Sequence, residues 1–171
     1  RTVVALYNEE GHCLRRTLES LRAFDDGTGA AAISNDVVVI ADGIGKLHET
    51  MKEYLSLVFG TGIPLDEISW KEKQSETFVF NKLMPSGRLL SLVLKRHNRK
   101  KINTHEWFFR AFATPEHCKY AFTTDTGTIF SPGAVEKMVA YMEGHPRCSA
   151  CTGRQRVMTW KQQSDPALSE S

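Results

Sequence analysis

The chain has 171 residues, enough for one domain with an ordinary core and too few to suggest several modules. Its formal net charge of +2 excludes whole-molecule charge as a reason to bind nucleic acid or an anionic membrane, and leaves only local clusters to weigh. No apolar run approaches the roughly 20 residues of a membrane helix, and four cysteines without a secretory leader point to reduced thiols and a cytosolic setting.

In chain order, residues 2–7 are short, apolar and β-rich, and they run into the polar turn Asn8-Glu9-Glu10-Gly11. A helix is predicted next, with Leu14, Leu18, Leu21 and Phe24 on one face and Arg15, Arg16, Glu19 and Arg22 on the other. Asp25-Asp26-Gly27 should end it in a loop. Residues 36–41 form a continuous apolar run of strand length, as expected of a parallel strand covered on both faces, and the run stops at Asp42-Gly43. Leu47, Met51, Tyr54, Leu55 and Val58 then fall at helical spacing. Two strand-loop-helix units of the same polarity predict a right-handed α/β layer.

Residues 77–83 and 89–94 read as a hairpin around Pro85-Ser86-Gly87. A basic stretch follows, after which Thr104 is expected to cap a short packed helix bearing Trp107, Phe108, Phe109 and Phe112. Residues 120–124 read as a further strand that stops at Asp125-Thr126-Gly127-Thr128. Ser131 as N-cap and Pro132 at N1 should open a last helix with Val135, Met138, Val139 and Met142 on one face. Cys148 and Cys151 form a CxxC, but a structural zinc usually shows two spaced pairs, so incidental thiols are the better reading.

Three polar clusters fall at the carboxyl ends of predicted strands, where ligands of open parallel sheets bind: Tyr7-Asn8-Glu9, Asp42-Gly43, and Asp125 with the three residues after it. They offer an aromatic face for a base, carboxylates for base and ribose donors, and a carboxylate for a divalent cation. Neither GxGxxG nor GxxxxGK[ST] is present, which removes the main support for a Rossmann dehydrogenase or a P-loop enzyme.

These segments carry a resemblance. Val4-Ala5-Leu6-Tyr7-Asn8-Glu9-Glu10 is similar to the first strand and uridine-binding turn of family 2 glycosyltransferases, and Val39-Ile40-Ala41-Asp42-Gly43 to their second. Residues 95–109, which include Lys100-Lys101-Ile102-Asn103-Thr104-His105 and Trp107-Phe108-Phe109, resemble a long and unusual chitin synthase segment. Asp125-Thr126-Gly127-Thr128 is similar to the Asp-x-Gly-Thr of the same enzymes. His97, Thr104 and Glu106 depart from that pattern, where lysine, serine and arginine are usual. Cys151-Thr152-Gly153-Arg154 differs from the Cys-Gly-Glu of fungal members and hints at a divergent branch.

What the resemblance implies is a GT-A-type α/β domain over residues 1–160, truncated before a polar tail at 161–171, from a longer protein with membrane segments elsewhere. Its implied activity is inverting β-1,4 transfer of N-acetylglucosamine from UDP-GlcNAc to a growing chitin oligomer at the cytosolic face of the plasma membrane, with Mg²⁺ or Mn²⁺. By carry-over, Tyr7, Asn8 and Glu9 contact uridine, Asp42 the uracil edge, and Asp125 the metal. Lys101, with Lys95 as second choice, faces the diphosphate. The presumed catalytic base lies beyond Ser171, so the chain by itself is expected to be inactive. No nucleic-acid partner is implied, and a homodimer is left open.

Each signal also has a plainer reading. A single Asp at a strand end is often a turn or cap residue, Tyr7 could be a boundary aromatic, and Lys95, Arg96, Arg99, Lys100 and Lys101 could be a solvated face or the core of a basic RNA-binding module. Trp107 reads as core before sugar platform, and His105 as a structural hydrogen-bonder. Rival functions within the fold are hyaluronan and cellulose synthesis, or a catalytically dead domain serving assembly.

Overall fold

The computed structural model describes residues 1–24 and 34–158. The expected Asp25-Asp26-Gly27 loop and the polar tail at 161–171 lie outside the described residues. Five strands, β1 (Thr2–Leu6), β2 (Val37–Asp42), β3 (Thr77–Leu83), β4 (Leu89–Lys95) and β5 (Phe122–Asp125), form one sheet in the order β3-β4-β2-β1-β5. β1, β2, β4 and β5 run parallel, and β3 pairs antiparallel with β4 at the edge, so the expected hairpin is present. The helices are α1 (Gly11–Ser20), α2 (Glu49–Phe59), α3 (Glu67–Lys73), α4 (Lys100–Ala111) and α5 (Ala134–Gly144). This is the α/β class expected, a mostly parallel sheet flanked by helices. Residues Arg1–Ile129 form one compact unit and Phe130–Ser171 a second, which holds α5.

Strand alternation decides what faces each layer. Val3, Val38, Ile40 and Val93 share one face of the sheet and bury the fully enclosed Phe108 of α4, with Trp107, Phe112 and Ala113 packed at the margin. Truncating a buried phenylalanine of this kind costs about 3–5 kcal/mol. All six residues of β2 are buried, so the opposite face is covered as well, which is why this strand reads as an unbroken apolar run. α1 and α2 pack on each other so closely that a side chain at Gly11 would run into the Thr50 carbonyl, while the Gly11 N–H donates to Thr50 Oγ1 at 3.1 Å.

Three local expectations are corrected. α4 begins at Lys100, a full turn before Thr104, which lies inside the helix and is 1% exposed. Its aromatic residues are also less uniformly packed than expected, since Phe109 is 49% exposed. α5 begins at Ala134, because Gly133 at φ 71° closes a turn in which Ala134 N donates to the Ser131 carbonyl. α3 has no counterpart in the periodicity. It is seven residues long, capped by Asp66, and anchored by the fully buried Trp70 edge-on against Phe78.

Candidate functional site

After β4 the chain returns to the far side of β1 to add β5, so the loops beyond β1 and β5 diverge. That is the switch point at which open α/β sheets bind ligands. The site is built there from strand ends and the start of α4.

Asp42 is the last residue of β2 and stands in register with Lys95, the last residue of β4. Both have the parity of Ile40 and Val93, so both side chains belong to the α4 face. There the Lys95 ammonium donates to Asp42 Oδ1 at 2.6 Å, and the two residues are 3% and 6% exposed. Burying two charges costs several kcal/mol per ion, which only direct pairing and further hydrogen bonds offset. The further bond comes from Arg99, whose backbone N–H donates to the same Oδ1 at 3.0 Å.

That bond also explains why α4 starts early. Asp42 satisfies the Arg99 N–H and Asn98 Oδ1 accepts from the Lys100 N–H at 2.7 Å, so two of the donors that a helix start leaves open are met before Thr104 is reached. Gly43, at φ 95°, lets Asn98 come close, since a Cβ there would lie 3.0 Å from the Asn98 backbone nitrogen and Cβ. Arg96 turns outward to pair with Glu67 of α3 at 2.5 Å, and its guanidinium holds the Glu67 carboxyl below its usual range.

Asp125 ends β5 in register with Ala5. The turn behind it is pinned at three points. Thr126 donates to the Ala5 carbonyl from its backbone N–H at 3.0 Å and its hydroxyl at 2.8 Å, and the Gly127 N–H donates to Thr17 Oγ1 at 3.0 Å. From α4, Lys101 Nζ reaches Asp125 Oδ2 at 2.6 Å, with both side chains more than half exposed. At the end of β1, Glu9 Oε2 accepts from the Tyr7 N–H at 2.8 Å, which fixes the carboxylate beside a ring that is 38% exposed.

Tyr7, Glu9, Asp42, Lys101 and Asp125 all line one cavity of about 350 Å³, together with Asn98, Lys100 and Thr104. The sequence reading did not assign those last three, although all lie in the basic segment that carried the resemblance. Asn8 is exposed in the turn and does not line the cavity. Lys95 lies instead at a second, polar cavity of about 250 Å³ bounded by Glu76, His97, Arg99, Asn103 and Trp107. Trp107 packs against the Phe108 cluster, the core role expected of it, and also lines this second cavity. His105 Nε2 is buried without a hydrogen-bond partner among the described residues, contrary to the structural bonding expected of it.

Among the described residues no three His, Cys, Asp or Glu side chains are grouped to hold a metal ion. A lone exposed carboxylate such as Asp125 does fit an ion of the Mg²⁺ type, which takes one or two carboxylates and completes its shell with phosphate oxygens and water. The donor set suits a cation that arrives with a diphosphate.

The model of the chitin synthase-like glycosyltransferase domain matches residues 2–169. The chain belongs to this family. The chitin synthase-like domain is 26% identical to chitin synthase 2 of Cryptococcus neoformans var. grubii over 88% of its length, 23% identical to chitin synthase A of Ampelomyces quisqualis over 91%, and 25% identical to chitin synthase C of Aspergillus oryzae over 91%. It spans about a fifth of the length of these relatives, 18% of the first and 20% of the other two. Among the described residues no helix of the domain is long and apolar enough to cross a membrane.

Proposed function

We propose that this chitin synthase-like domain is the donor-binding part of a β-1,4-N-acetylglucosaminyltransferase that extends chitin from UDP-GlcNAc. The observation that carries the reading is the meeting of Tyr7, Asp42, Lys101 and Asp125 around one cavity at the carboxyl rim of the sheet. Tyr7 offers its exposed ring for the uracil to stack on, Asp42 accepts from the base edge, and Glu9 stands close enough to the Tyr7 turn to accept from the ribose. Lys101 and Lys100 supply positive charge for the diphosphate. Asp125 would hold Mg²⁺ or Mn²⁺, which when bound neutralises charge on the departing diphosphate.

Inverting transfer also needs a carboxylate to take the acceptor proton, and this reading assigns that role to none of the residues lining the cavity. In this reading the 171-residue chain binds the nucleotide sugar but does not polymerise, and the complete protein works at the cytosolic membrane face with its membrane segments outside the chain. The test is transfer by the full-length protein in membranes supplied with Mn²⁺ and either UDP-GlcNAc or UDP-glucose. The expected result is an insoluble product, made from UDP-GlcNAc alone and degraded by chitinase. A glucan, a mixed polymer, or turnover that survives Asp125→Ala would sink the proposal.

A further inference from the structure

The sequence offers Lys95 as a diphosphate contact, yet its charge is spent on another group. Its ammonium is 2.6 Å from Asp42 Oδ1, the residue is 3% exposed, and it is absent from the lining of the cavity that holds Lys100, Lys101 and Asp125. The two strand ends are also tied through the main chain, where the Gly43 N–H donates to the Lys95 carbonyl at 3.2 Å. We infer that Lys95 is a positioning residue that acts through Asp42 to set base selectivity: with Oδ1 held by Lys95 and by the Arg99 N–H, the carboxylate is fixed in one orientation and its other oxygen serves the ligand. This rests on the reading of Asp42 as the group that meets the base.

The chemistry that follows is specific. An ionised carboxylate only accepts hydrogen bonds, so it suits a pyrimidine whose N3 carries a hydrogen, as in uracil, and opposes cytosine, whose N3 is itself an acceptor. Discrimination of this kind depends on holding the acceptor still, because a carboxylate free to rotate can turn away from the wrong base at little cost. Lys95 and Arg99 supply that restraint from two separate elements, one from the adjacent strand and one from the loop that leads into α4. A lysine that instead met phosphate would affect uracil and cytosine nucleotides equally.

The experiment is calorimetric titration of the 171-residue chain with uridine, UDP and CDP in the presence of Mn²⁺, for wild type, Asp42→Asn, Lys95→Met, Lys95→Arg and Lys101→Met. The expected result is that K95M weakens uridine and UDP by the same factor, about tenfold, and lowers the UDP-over-CDP preference by a similar factor, the loss of a hydrogen bond to a charged group. K95R should recover much of both, whereas K101M should weaken UDP and leave uridine alone. If K95M does not fold because Asp42 is left buried without its cation, the D42N/K95M double variant decides the matter. It should match D42N, whereas a phosphate contact at Lys95 would add a further loss specific to UDP.

Loss by K95M of UDP affinity but not uridine affinity, or a uniform loss with the UDP-over-CDP preference intact, would overturn the inference while leaving the donor site standing. A wild type without preference for UDP over CDP, or a D42N variant that keeps it, would remove Asp42 from the base and the role of Lys95 with it.

Discussion

Lys101 Nζ lies 2.6 Å from Asp125 Oδ2, so a side-chain ammonium already occupies one oxygen of the carboxylate proposed to hold the divalent ion. Both groups are more than half exposed, and an exposed pair of this kind is worth about 1 kcal/mol or less. If the ion binds Asp125 as proposed, it would compete with the lysine on modest terms and would leave Lys101 to meet a diphosphate. Lys101→Met should bind Mn²⁺ alone up to about fivefold more tightly and bind UDP in the presence of Mn²⁺ about tenfold more weakly. Titration calorimetry with each ligand reads both signs, and weaker binding of Mn²⁺ by the variant would contradict the competition.

The turn that carries Asp125 is held from α1 by Thr17, which is fully buried, accepts from the Gly127 N–H and donates to the Cys13 carbonyl at 3.1 Å. Thr17→Val keeps the shape and leaves the Gly127 N–H unmet, a loss of about 1–3 kcal/mol. Urea unfolding should show a lower midpoint with an unchanged slope, and Thr17→Ser should restore most of it. Equal stability of wild type and T17V would mean that the turn is held elsewhere.

Gly43 couples the end of β2 to the basic loop. At φ 95° a side chain is strained, and its Cβ would press on Asn98. Gly43→Ala should cost about 1–2 kcal/mol from the left-handed backbone alone and displace the loop that delivers the Arg99 N–H to Asp42. Thermal unfolding measures the first effect. Nucleotide titration measures the second, and UDP affinity should fall even at temperatures where the variant is fully folded.

α3 provides a pH dependence. The Ser69 backbone N–H donates to Asp66 at 2.6 Å and its hydroxyl at 2.9 Å, and together they hold the Asp66 carboxyl below its ordinary value of 3.8. The unfolded chain then takes up the proton first as the solution is acidified. The stabilisation is complete above the ordinary value, declines as pH falls through it, and is gone below the lower folded value. Asp66→Ala should remove this part of the acid dependence of the urea midpoint and fray α3 at neutral pH. A carboxyl titration of Asp66 followed by NMR that showed no depression would contradict the cap.

Much of the sheet could be read along the chain because the signals are local. β2 is buried at all six positions and so has no polar alternation, and Pro85-Ser86-Gly87 marks the hairpin turn. What escaped was set by partners distant in sequence. The acceptor for the Arg99 N–H is Asp42, 57 residues earlier, so only the Asn98 bond to the Lys100 N–H was a local sign that α4 begins at Lys100. The Lys95–Asp42 pair exists because β4 lies beside β2, an order that strand periodicity does not encode. Only then does a basic residue that looks free for phosphate become a buried partner of the carboxylate. α3 was missed because seven mostly polar residues around one buried tryptophan make too short a repeat for periodicity to register.

The most direct measurement is titration of UDP into the 171-residue chain with and without Mn²⁺, beside a folded Asp125→Ala variant. Binding that requires Mn²⁺ and disappears on removal of the Asp125 carboxylate is the expected result. Binding indifferent to the metal, or none by the correctly folded wild type, would contradict a donor site built on Tyr7, Asp42, Lys101 and Asp125.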